Sequence, residues 1–255
     1  MLVAGLARAG EDSGTPILVY HRFGPIVTDG MTVRTSVFEA QLQQLERQGH
    51  PVIPLKTLVA HLRGDELSLP PRSVVVTVDD AHRSVYTEAL PLLRKHQIPV
   101  TLFIYPSAVS RADYAMTWEQ LRELVSTGLV DVGSHTYWHP NFAREKKRLS
   151  EADYQHLVED QLTRSRSVLE SRLGTRVNLL AWPFGIYDDE LMRRAAEAGY
   201  VAAVTLERHP ASAADPLLAL PRYLVTDADQ GARFEALLAG HSAPRGTGRE
   251  ARRDR

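Results

Sequence analysis

Residues 74–84 read VVVTVDDAHRS. A β-branched run ends on two adjacent carboxylates, Asp79 and Asp80, followed by His82 and Arg83. The run is apolar at successive positions rather than at alternate ones, which is how a strand covered on both faces looks. Strands of that kind belong to parallel sheets with crossover helices on the faces. Two acids after a strand, taken alone, are best explained as a helix N-cap beside a solvated neighbour. Their meaning depends on the rest of the chain.

Outward from this run the same pattern repeats. PILVYH (16–21), VTLFIYP (100–106), LVDVGSH (129–135), NLLAWPFG (178–185) and VAAVTL (201–206) read as further strands. Between them lie segments of helical period. SVFEAQLQQLERQG (36–49) has Ser36 near the N-cap and Gly49 as a stop, and YTEALPLLRKHQ (86–97) contains Pro91, which shortens or kinks it. TWEQLRELVSTG (117–128) opens on a Thr-x-x-Gln capping pattern, a long helix runs from about Ser150 to Leu173, and YDDELMRRAAEAG (187–199) follows. Strand and helix alternate without an internal repeat or low-complexity linker. The expectation is a single α/β domain over 16–240, a parallel sheet with crossover helices, with 1–15 a flexible terminus or the remnant of a signal segment and 241–255 a disordered basic tail.

Composition agrees with a globular domain and removes several function classes. The 255 residues are 44% hydrophobic and 24% charged, ordinary values for a chain able to bury a sizeable core. A formal net charge of -1 implies no broad basic surface, so nucleic acid is not an expected partner. The basic clusters REKKR (144–148) and HSAPRGTGREARRDR (241–255) read as solvated surface and tail. There is no cysteine, which excludes disulfides, thiolate metal sites and cysteine nucleophiles. No apolar run has the ~18 residues of a membrane helix. The opening MLVAGLARAGEDSG lacks the basic start of a clear signal peptide.

The polar residues fall at strand ends. His21 ends the first strand, Asp79 and Asp80 the next, His135 its own, and Pro183-Phe184-Gly185 another. In βα barrels the C-terminal strand ends share one rim, where active sites are built. In GSHTYWHP, His135 and His139 stand four apart, so that on one helical turn they would share a face and grip one metal. One carboxylate with two imidazoles is a three-ligand set that leaves coordination open; its oxygen and nitrogen donors suit zinc, and also cobalt, nickel, manganese or iron. If Asp80 binds the metal, Asp79 stays free beside it as a general base. Such a base would take the proton of a water whose pKa the metal lowers toward about 7.

Assembled, these residues resemble the polysaccharide deacetylase family, also called carbohydrate esterase family four or the nodulation-type deacetylases. The family's Thr-Phe-Asp-Asp-Gly motif corresponds to TVDDA (77–81), its His-[Ser/Thr]-x-x-His motif matches HTYWH (135–139), and its Arg-x-Pro-[Phe/Tyr] motif is met in part by AWPFG (181–185). LVYHRFGP, and the run LPLLRKHQIPVTLFIYPS, are similar more narrowly to the branch acting on poly-β-1,6-N-acetylglucosamine. The resemblance implies a distorted, TIM-like (β/α) barrel of about seven strands that hydrolyses N-acetyl groups of a GlcNAc-containing polysaccharide with one divalent metal, zinc first among the candidates. It implies Asp79 as base, Asp80, His135 and His139 as metal ligands, and the backbone amide of Phe184 as oxyanion donor. It also implies work outside the cytoplasm, in the periplasm, secreted or at the cell envelope. An O-acetyl esterase acting on a glycan such as xylan, and a barrel that binds carbohydrate without catalysis, are the alternatives.

The chain departs from the family pattern in three places. Ala81 replaces a glycine, which implies a turn after Asp80 with no strict need for positive φ. Ala181 replaces the arginine that orients the base, and Arg222 in LPRYLVT (220–226) is the candidate substitute, from another strand end. The late Leu-x-His motif that supplies an acid is missing; His209 in TLERHP (205–210) reads as a surface residue. His21, His82, Trp138, Trp182, Pro183 and Arg222 are the further candidates to line a sugar-binding rim, the tryptophans by stacking on sugar rings.

Overall fold

The valine-rich run forms the strand its composition implies, with a parallel neighbour on each side. The computed structural model describes residues 14–65 and 68–240, so the assignments for 1–13 and 241–255 lie outside the described residues. Along the chain come β1 (Ile17–Tyr20), β2 (Arg22–Gly24), β3 (Thr32–Arg34), α1 (Thr35–Arg47), α2 (Leu55–Leu62), β4 (Val75–Val78), α3 (Leu90–His96) and β5 (Val100–Ile104). They are followed by α4 (Trp118–Ser126), β6 (Val130–Ser134), α5 (Phe142–Arg148), α6 (Glu151–Leu173), β7 (Leu179–Ala181), α7 (Asp189–Glu197), β8 (Ala202–Val204), β9 (Tyr223–Leu224) and α8 (Ala232–Leu238). β2 and β3 make a small ribbon of their own that the sequence reading did not foresee.

The main sheet runs β8-β7-β6-β5-β4-β1-β9, and its strands pair parallel throughout. It curls until its edges meet on one extended segment. Leu220 bridges Val204 of β8, and Tyr223 and Leu224 pair with Leu18 and Val19 of β1. The result is the distorted, TIM-like barrel in a single domain. β1, β4, β5, β7 and β8 are buried on both faces, with opposite destinations for alternate residues. Leu18, Val76, Val78, Leu102 and Ile104 pack outward beneath the helices. Ile17, Val75, Phe103, Leu179 and Val204 pack inward, joined by Leu55, Leu58 and Val59 of α2.

Local signals account for most boundaries. Thr117 and Gln120 form the reciprocal capping box at the start of α4, and Ser150 caps α6 through the amide of Asp153. Ser36 does not cap α1; it lies in the first turn, and Arg34 precedes the helix without a side-chain cap. Pro91 falls in the first turn of α3, where its missing N–H is harmless, and a π-helical turn over Val85–Ala89 leads into it. No helix among the described residues is long and apolar enough to cross a membrane.

Inside the barrel, Gly133 of β6 faces Phe103 across the strand pair. A β-carbon at residue 133 would lie 2.4 Å from the Phe103 ring. That ring in turn lies 5.5 Å from the buried Arg222 guanidinium. Gly133→Ala is therefore expected to lower stability by about 1–3 kcal/mol through overpacking. Urea unfolding checks it, and an unchanged midpoint refutes the crowding.

Candidate active site

The strand period explains why Asp79 faces inward and why Asp80 needs something more. Thr77 and Asp79 share the inner face, and the next residue of a continued strand would point out. β4 stops at Val78, and Asp80 (φ 75) and Ala81 (φ 55) both take the left-handed conformation. That turn brings the second carboxylate back toward the same imidazole as the first: Nε2 of His135 is 3.7 Å from Oδ2 of Asp79 and 3.7 Å from Oδ1 of Asp80. The expectation for Ala81 is thus overturned. The turn does require positive φ, and alanine adopts it at a strain of about 1–2 kcal/mol. Its surroundings hold it there: Ala81 is buried, and its carbonyl accepts the amide of Met116 at 3.0 Å.

His135 continues the alternation of β6 and points inward, two residues after Gly133. Its Nδ1 lies 2.7 Å from the Ala181 carbonyl oxygen, which can only accept, so the proton sits on Nδ1 and the Nε2 lone pair faces the carboxylates. His139 reaches the same place by a different route from the one expected. Residues 135–140 are not helical. Thr136 (φ 62) and His139 (φ 63) are left-handed and fold the loop back, bringing the two rings to 4.5 Å between centroids. Gln161, buried on α6, fixes this loop by accepting the amides of Tyr137 at 3.2 Å and Trp138 at 2.9 Å. One ligand atom from each of Asp80, His135 and His139 lies within 4.8 Å of the others.

Arg222 stands immediately before β9 and sends its side chain up the barrel interior. Nη1 donates to Oδ1 of Asp79 and Nη2 to Oδ2, both at 2.8 Å, while Nε donates to the Thr205 carbonyl at 2.9 Å. Nη1 also donates to Thr77 at 3.1 Å. The guanidinium is fully buried and offers no exposed atom to a sugar; it meets Asp79 from the barrel interior instead of a strand end.

Burial alone would push Asp79 up, but Arg222 and then His135 outweigh it and hold the carboxyl well below the usual range. Burial lowers His135 to about 3 and lowers His139 too, so both imidazoles are neutral at physiological pH. Asp80 is raised, by burial first and by the Asp79 charge, with His21 opposing. Asp80 accepts no hydrogen bond among the described residues; its near neighbours are the two neutral imidazoles. Arg222 is hydrogen-bonded to Asp79 alone of the two carboxylates, so among the described residues Asp80 faces the two neutral imidazoles without a bonded cation. A divalent cation fits that donor set and that charge.

The other sequence candidates divide. Trp182 is fully buried on the outward face, next after inward Ala181, with its indole N–H donated to the Leu218 carbonyl at 2.9 Å and its ring edge-on to Phe142. It packs the core and offers no face to a sugar. Pro183 is likewise buried in the turn over Pro183–Gly185. That turn's bonds come from the amides of Gly185 and Ile186, leaving the Phe184 amide outside it. Phe184 itself is left-handed, and its ring meets His139 edge-on at 4.6 Å. Trp138 is 42% exposed at the rim. His82 is partly buried, bonded to Ser84 Oγ at 2.8 Å. His21 has a buried Nδ1 with no hydrogen-bond partner among the described residues and lies close enough to act electrostatically on both Asp79 and Asp80. His209 lies on the surface beside Glu207 and Asp215. Gln161, Tyr105 and Tyr114 escaped the sequence reading. Gln161 carries the one signal that could have found it, a polar side chain on the buried stripe of α6.

An arginine-locked carboxylate stands beside a second carboxylate and two neutral imidazoles at the C-terminal rim of a parallel barrel, a fixed base next to a cation-binding donor set of the kind metal-assisted hydrolases use. Comparison with known proteins sharpens this. The polysaccharide deacetylase family matches residues 67–203, more than half of the chain, and the chain belongs to that family. It is 26% identical over 201 residues to a poly-beta-1,6-N-acetyl-D-glucosamine N-deacetylase of Staphylococcus aureus (strain MRSA252), covering 77% of this chain and 68% of that protein. The structure of IcaB from Ammonifex degensii superposes with a TM-score of 0.76 at 27% identity, covering 89% of this chain and 97% of that one. The Streptococcus pyogenes deacetylase PplD, solved in complex with acetate, shares the fold at a TM-score of 0.78 and 24% identity, over 88% and 98% of the two chains.

Proposed function

We propose that this chain removes N-acetyl groups from a GlcNAc-containing polysaccharide, with one divalent ion, zinc first among the candidates, held by Asp80, His135 and His139. The observation that carries the reading is the bidentate Asp79–Arg222 pair set against the three-donor group. When bound, the ion supplies Lewis acidity toward the acetyl carbonyl. The chain's own residues do the rest. Arg222 takes one lone pair on each Asp79 oxygen and keeps the carboxylate ionised, leaving its other lone pairs for a proton. Asp79 takes that proton from the water that attacks the acetyl carbon. The Phe184 amide donates to the oxygen on which negative charge develops. The departing nitrogen takes up a proton as the C–N bond breaks to acetate and a free amine, and His21, at the end of the first strand, is the proposed donor. A substrate of this kind puts the working site outside the cytoplasm.

Acetate release from N-acetylglucosamine oligomers tests the activity, with the chelated protein inactive and zinc restoring it. No release with zinc, cobalt, nickel, manganese or iron overturns the reading. The ligand set has its own test, independent of turnover. His135→Ala and His139→Ala are each expected to drop bound metal from about one ion per chain to near none by elemental analysis. Undiminished metal in both variants removes the assignment.

A further inference from the structure

On one side the rim of this site is a continuous arc of rings. His82 stacks on Tyr114 with centroids 6.2 Å apart and planes 7° from parallel. The hydroxyls of Tyr114 and Tyr105 lie 2.7 Å apart in a hydrogen bond. The Tyr105 ring then meets His139 at 5.5 Å, and His139 meets Phe184 at 4.6 Å. Tyr105 follows directly on β5, at the same strand-end level as the other site residues. Tyr114 belongs to a loop tied by its backbone to the Asp80 turn: the amide of Arg83 donates to the Tyr114 carbonyl at 2.7 Å, and that of Met116 to Ala81 at 3.0 Å. Both phenols therefore stand on backbone fixed to the catalytic turn or to the sheet, and Tyr114 is 41% exposed.

The bond between the two hydroxyls leaves chemistry unspent. One phenol donates and the other accepts, so the accepting one keeps its own proton for a third partner, and lone pairs remain on both oxygens. Neither hydroxyl bonds any other side chain or backbone group among the described residues. A neutral donor and acceptor set on rigid aromatic rings suits a pyranose, which offers an apolar C–H face and hydroxyls at its edge.

We propose that the Tyr105–Tyr114 hydroxyl pair is a specificity element that hydrogen-bonds a ring hydroxyl of the sugar bearing the reacting acetamide. It thereby separates glycan acetamides from acetyl groups on small molecules that carry no such hydroxyl. The proposal rests on the deacetylase reading above. A site built to bond a substrate hydroxyl discriminates because an analogue without one leaves its polar groups unmet.

Tyr105→Phe and Tyr114→Phe each remove one hydroxyl and keep the ring. The zinc-loaded full chain and both variants are assayed on N-acetylglucosamine oligomers and on 4-nitrophenyl acetate, with zinc affinity measured by calorimetry. Expected is a fall in kcat/KM on the oligomers of about 10- to 100-fold, the size of one lost hydrogen bond to a polar partner. The ester reaction and zinc affinity should stay within about twofold, since the acetyl chemistry and the ligand set are untouched. Equal losses on both substrates would mean that the pair only holds His139 in place, and the proposal falls. It falls equally if both variants process the oligomers like wild type. If wild type cleaves the ester but no oligomer, the deacetylase reading itself fails. Two variants, one at an exposed residue, keep the test decisive should either misfold.

Discussion

Asp79→Asn is expected to lower kcat on N-acetylglucosamine oligomers by about 10³-fold, within the ~10²–10⁴ that a positioned general base contributes. The amide matches the carboxylate in size and can still accept from Arg222 through its oxygen, but it cannot take a proton from water. Metal content should be unchanged, because the proposed donor set of Asp80, His135 and His139 is left intact. Asp80→Asn should do the reverse at the ion, weakening metal binding by removing the charged ligand. The contrast between the two adjacent aspartates is the sharpest test of their division of labour. It is read by pairing steady-state kinetics with elemental analysis on each variant. Equal activity of Asp79→Asn and wild type, at equal metal content, removes Asp79 from the role of base. The variant is also expected to unfold earlier, since Arg222 loses its counter-charge in a fully buried place. Kinetics are therefore compared well below its midpoint.

Much of this site is written in local sequence, and the unwritten part has a physical cause. The valine-rich strands announce themselves because burial on both faces needs apolar residues at every position. His135 and Asp79 follow from strand period once the rim is recognised. What local pattern cannot give is the left-handed backbone at Asp80, Ala81, Thr136 and His139. None of these is glycine, and their φ is imposed by long-range contacts such as Met116 to Ala81 and Gln161 to the 137–138 amides. For that reason the histidine pair looked helical and the Ala81 turn looked relaxed. Trp182 departs from the expected rim for a simpler reason. It lies next to a functional turn, but strand period sends it to the outer face, opposite Ala181. Arg222 is the reverse case: 143 residues from Asp79 in sequence, it arrives beside it only because the last strand closes the barrel against the first.

The largest stability effect is expected at that closure. Arg222→Met should cost about 3–5 kcal/mol, because Asp79 is then left as a buried charge without a partner. Arg222→Lys keeps the charge but presents a single ammonium that cannot bond both carboxylate oxygens along parallel N–H directions. It should recover part of the stability while leaving the carboxylate poorly aimed, with kcat still down by at least about 10-fold. The decisive variant carries Arg222→Met and Asp79→Asn together. If the pair is a mutual compensation of buried charges, removing both costs less than the sum of removing each, and a double-mutant cycle reads the difference. An additive cycle would show that Arg222 stabilises by packing on Phe103 rather than through Asp79. Conditions matter to the sign. The folded state holds Asp79 below the unfolded carboxylate value of ~3.9. Its stabilisation is therefore present in full above that pH and fades as pH falls toward the folded value. Measured near neutral pH, the cycle reports the whole pair. There it decides whether Arg222 stabilises the fold through the Asp79 charge.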